Sequence, residues 1–71
     1  MKKVVKVDEM IAVARDEVER ANRYLRNGEY DLYKYSMKRV DGMISMITIT
    51  SIKKTDNWDE EWNKIYSRVN G

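Results

Sequence analysis

A chain of 71 residues with neither cysteine nor histidine has room for one small domain. It is also without the groups that form disulfides, thiol nucleophiles, imidazole bases and structural zinc sites. Charged residues make up 37% of the chain yet leave a net charge of only +2, so they do not create the one-signed field of a dedicated polyanion binder. A core this small leaves only about 3–5 kcal/mol of stability unless helix packing is regular or a second copy helps.

In chain order, residues 1–7 carry Lys2, Lys3 and Lys6 between Val4, Val5 and Val7. They read as a basic lead-in to a single helical domain spanning 1–71, with a short edge strand as the alternative because valine favours strands. No apolar h-region follows, so the segment does not read as a signal peptide. The longest uncharged run, Gly42–Ile52, has 11 residues and would rise only about 16 Å as a helix, too short for about 30 Å of hydrocarbon. With no cysteine, the expected location is cytoplasmic, with no membrane partner.

Asp8 is expected to cap a first helix over Asp8–Arg26, with Glu9 complementing the dipole. Its apolar seam is Ile11, Ala14, Val18, Ala21 and Leu25, in four-three steps, with Met10 and Tyr24 beside it. The small Ala14 and Ala21 allow a partner helix to come close. On the opposite face, Asp16–Arg20 and Glu19–Arg23 are spaced as i,i+4 ion pairs in the favourable orientation. Asn27-Gly28 ends the helix, glycine taking the left-handed position. A connection this short makes the next helix an antiparallel neighbour.

The second helix, Glu29–Thr48, organises the rest. Tyr33, Met37, Val40, Ile44 and Ile47 form one seam, and Leu32, Ser36, Met43, Met46 and Thr50 a second stripe interrupted by Arg39. Together they cover an arc of about 200°, where a single surface helix needs only about 100°. Such a helix must touch at least two neighbours. Over Thr48–Ile52 the phase fails, since Ile49 and Ile52 fall opposite the seam, and the β-branched run would also suit a strand paired with the N-terminal valines. A helix end followed by a loop is expected there. The third helix, Asn57–Val69, is capped by Asp56 or Asn57, has Asp59, Glu60 and Glu61 in its first turn, and carries a seam of Trp58, Trp62, Ile65 and Val69 widened by Tyr66. The fold class is therefore a small all-α three-helix domain.

Chemistry is sparse. There is no phosphate-binding glycine loop, nucleophile elbow or paired-carboxylate motif, and the Asp59–Glu61 cluster lacks the spacing of a calcium loop and suits a helix N-terminus. No catalytic, cofactor or metal residue is assigned; the chain reads as a non-enzyme. Helices two and three do not read as a DNA-binding helix-turn-helix, because the third helix would present acids to phosphate. Nucleic-acid binding through Lys2, Lys3, Lys6, Lys53 and Lys54 is the alternative function. The expectation is a protein-interaction module, a regulator or inhibitor of the kind that occupies a partner's surface, virus-encoded inhibitors included. Five methionines suit an adaptable contact surface. The expected interface is Leu32, Tyr35, Arg39, Met43 and Met46, and the expected assembly a homodimer through helix two. In the competing arrangement, helix three crosses back and covers that stripe with Trp58 and Trp62.

Overall fold

The computed structural model describes residues 6–71, and three α-helices account for nearly all of them: α1 (Val7–Arg26), α2 (Tyr30–Ser51) and α3 (Trp58–Asn70). No strand occurs among the described residues, and no helix there is long and apolar enough to cross a membrane. Residues 1–5 of the expected basic lead-in lie outside the described residues. Val7, the last residue of that lead-in, begins α1.

Each boundary has a local cause. Lys6 holds the cap position of α1 in extended backbone and makes no side-chain cap bond. The expected Asp8 cap is therefore wrong by two residues: Asp8 lies inside the first turn, where it complements the dipole and meets Arg68 of α3 at 2.7 Å. At the other end, Gly28 adopts φ 78°, its N–H donating to the Leu25 carbonyl and the Glu29 N–H to the Tyr24 carbonyl at 2.9 Å. That pair of bonds is the Schellman closure, and it turns the chain into α2 within three residues.

Helix α2 runs to Ser51, within the stretch where a helix end followed by a loop is expected, and no strand forms there. Thr48 donates its hydroxyl to the Ile44 carbonyl at 2.7 Å, and Thr50 and Ser51 bond in the same way to Met46 and Ile47. Those i→i−4 bonds satisfy the hydroxyls inside a helix. Thr48 itself is fully buried, so packing overrides the β-branched preference for a strand. The chain then closes a tight turn, in which the Asp56 N–H donates to the Lys53 carbonyl and the Asp56 carboxylate accepts from the Lys53 N–H. Asn57 caps α3 by accepting from the Asp59 N–H at 2.9 Å.

Burial follows α2. Val40, Ile44 and Ile47 are sealed between Ile11 and Ala14 of α1 and Ile65 and Val69 of α3. Met10, Val18, Met37, Met43 and Trp62 pack around that cluster half-buried. The over-wide helix thus has the two neighbours its arc demands, and its contact with α1 is the more extensive. Three seam assignments change. Leu25 is exposed near the hairpin tip, and Trp58 is 41% exposed at the start of α3. Tyr66 stacks on Trp62, with ring centroids 5.1 Å apart, on the outside of α3.

Two unfolding measurements check the boundaries. Gly28→Ala forces a side chain into the left-handed region and is expected to cost about 1–2 kcal/mol, and Asn57→Ala about 1 kcal/mol. In thermal denaturation each should lower the midpoint by about 4–8 °C per kcal/mol. Unchanged midpoints would mean that these turns are not formed as described.

Candidate protein-interaction surface

Helix α2 has three sides. Val40, Ile44 and Ile47 are buried, with Ser36 on the α1 side and Thr48 at the far end. Asp31, Lys34, Lys38 and Asp41 face water. The remaining side is apolar and uncovered: Leu32 is 43%, Tyr35 62%, Met46 63% and Ile49 61% exposed. Helix three does not cover it, since Leu32, Tyr35, Met46 and Ile49 stay exposed while the buried residues of α3 are Glu61, Ile65 and Val69. The competing closed bundle is therefore not what the chain forms.

The five expected interface residues fall into two groups. Leu32, Tyr35, Arg39 and Met46 lie on the uncovered side; Met43 is half-buried where α2 meets α1. Beside Met43, a shallow apolar cleft of about 280 Å³ is lined by Met10 and Val13 of α1 and by Met43, Met46 and Ile47 of α2. Val13 is itself exposed. Three methionine side chains in the lining make the cleft deformable, since unbranched thioethers repack cheaply.

The electrostatics of this side centre on a residue that sequence reasoning missed. Glu17 is 5% exposed, lying on the α1 seam between Ala14 and Ala21. Its carboxylate accepts from Arg20 at 2.8 Å and lies 4.0 Å from Arg39 of α2. The expected Asp16–Arg20 pair is thus replaced: Arg20 turns to Glu17, one turn back, because a buried carboxylate needs a partner more than an exposed one does. The spacing 14, 17, 21 carried the signal, and only the charge of Glu17 hid it. Through this contact the Arg39 guanidinium is drawn toward α1, leaving its aliphatic stem on the stripe.

Gly42 was also missed. It lies mid-helix, exposed, on the same side as Met46, and a Cβ there would meet nothing within 4 Å. Its φ is not in the positive region. Nothing inside the chain calls for glycine, yet glycine in a helix interior costs about 1 kcal/mol relative to alanine.

Among the described residues, no group of three or more carboxylates, cysteines or histidines is placed to hold a metal ion. The acidic first turn of α3 divides, with Glu61 turned inward beside Lys64 and Asp59 and Glu60 exposed. No protein family model, curated protein or solved structure matches this chain.

Substitutions separate the uncovered side from the core. Met46→Lys is expected to leave the folded state within about 0.5 kcal/mol of the parent, whereas Ile44→Lys, which buries an unpaired charge, abolishes folding. Gly42→Ala, measured in dilute solution, is expected to add about 0.4–1 kcal/mol. Urea denaturation followed by circular dichroism reads all three, and a strongly destabilised Met46→Lys would place Met46 in the core.

Proposed function

We propose that this chain is a small non-catalytic protein-interaction module, a regulator or inhibitor that acts by laying the uncovered side of α2 and the adjoining cleft of α1 on a partner protein. The observation that carries this reading is the stripe Leu32, Tyr35, Met46 and Ile49, exposed on a helix whose Val40, Ile44 and Ile47 are sealed. Leaving large apolar side chains in water forfeits about 1.5–3 kcal/mol each relative to burial, a heavy cost in so small a domain. A row of large exposed apolar side chains on one helix is the kind of surface that marks recognition sites. A tyrosine on the stripe and a methionine-lined cleft beside it are the residue types favoured at interface cores.

The charges support protein over nucleic acid as the partner. Glu17 pairs with Arg20 and lies within 4.0 Å of Arg39, and α3 begins with Asp59 and Glu60 exposed.

The test is capture from the native host on the immobilised protein, with Met46→Lys and Ile49→Lys as the disrupted baits and Lys34→Glu, on the hydrated side, as control. A partner retained by the parent and the control and lost by both stripe variants is the expected result. Capture indifferent to the stripe variants would contradict the reading. So would tight nucleic-acid binding in a gel shift that weakens steeply with salt, the mark of counterion release.

A further inference from the structure

We infer that the occupant of the uncovered side of α2 is a second copy of the same helix, packed antiparallel about a two-fold axis between Arg39 and Gly42. This deepens the proposed function by naming a partner for the same surface. Leu32, Tyr35, Arg39, Gly42, Met46 and Ile49 follow one another in steps of three and four, and all are exposed. That is the spacing by which one helix offers a continuous seam to another. It lies on the side of α2 that neither α1 nor α3 covers.

The order of residues along the seam selects the direction. Parallel pairing would set Arg39 against Arg39 and Gly42 against Gly42, two guanidiniums in contact beside an empty space. Antiparallel pairing sets Leu32 against Ile49 of the second copy, Tyr35 against Met46, and Arg39 against Gly42. Large then meets small at the centre, and the sulfur of Met46 meets the Tyr35 ring, a favourable contact. Gly42, which nothing in its own chain requires, gives the Arg39 stem of the second copy room to cross. Each Arg39 head is drawn toward Glu17 of its own chain, away from the axis, so the two positive charges are not forced together.

The area is consistent with a dimer only if α1 takes part. From Leu32 to Ile49 the seam is about 27 Å long, and one helix is about 10–12 Å wide. A strip two helices wide, including Met10 and Val13, projects to about 550 Å² per copy and about 1,100 Å² in the pair. That approaches the roughly 1,200 Å² at which stable interfaces begin, and a strip one helix wide would fall far short. The pair is therefore a reversible one in which Met10, Val13 and Met43 flank the central seam.

Sedimentation equilibrium over a hundredfold concentration range tests it, with circular dichroism to confirm that every variant is folded. The parent, 8.5 kDa as a single chain, is expected to approach twice that mass reversibly. Met46→Lys and Gly42→Leu should raise the dissociation constant about tenfold or more, and Lys34→Glu should leave it unchanged. Because the chain has no cysteine, an oxidised mixture of Tyr35→Cys and Met46→Cys chains reports direction. The mixed disulfide is expected, and products joining only like to like would overturn the antiparallel arrangement. A parent that stays at 8.5 kDa throughout, or a dimer indifferent to Met46→Lys and Gly42→Leu, overturns the inference altogether. A monomeric parent that still captures a host protein in a Met46-dependent way would sink the self-pairing and leave the interaction reading standing.

Discussion

The burial of Val40, Ile44 and Ile47 between two other helices is the constraint from which the remaining features follow. These residues are almost fully removed from water, and they lie on the helix whose buried face is shared by both of the others. A domain of this size has little stability to spare, so its longest helix must be held from two sides. Ala14 and Ala21 let α1 lie close along one side, while Ile65 and Val69 close the other. The Schellman turn at Gly28 and the Asn57 cap then do what short connections must do. They end each helix where the next can return to the same core.

That grip leaves the third side of α2 apolar and bare, which is the physical basis for reading the surface as a site of recognition. The same helix supplies both the buried core and the proposed interface. Positions along it therefore divide by angle: Met46 is exposed although Ile44, two residues before it, is sealed. Glu17 joins the two roles. It is buried between α1 and α2, yet it reaches Arg39 on the exposed side, so a charge that would interrupt the stripe contributes mainly its aliphatic stem.

The fold was largely legible in the sequence because the four-three spacing of apolar residues survives in all three helices, and because Asn27-Gly28 and Asn57 are strong punctuation. The excess apolar arc of α2 correctly demanded two neighbours. Misreadings came where local preference and tertiary packing disagreed. The strand alternative over Thr48–Ile52 fails, because the hydroxyls bond back to the preceding turn and Thr48 packs into the core, while the expected helix end falls at Ser51. Trp58 was assigned to the seam on hydrophobicity, although Glu61, one turn later, takes the inward position and brings only its Lys64 neighbour. Asp8 resembled a cap by residue type, but the helix starts earlier, and the carboxylate pairs with Arg68 instead. The candidate surface was half legible. Leu32, Tyr35, Arg39 and Met46 stood out by spacing, whereas Gly42 and Glu17 acquire meaning only once their surroundings are known.

The division of α2 into two sealed sides and one bare one can be measured directly. In dilute solution, a soluble paramagnetic agent broadens side-chain resonances in proportion to their exposure. The account predicts strong broadening of the Leu32, Tyr35, Met46 and Ile49 signals and almost none of Val40, Ile44 and Ile47. Protection of Met46 and Ile49 equal to that of Ile44, in a sample shown to be monomeric, would mean that the chain covers its own stripe and would contradict it.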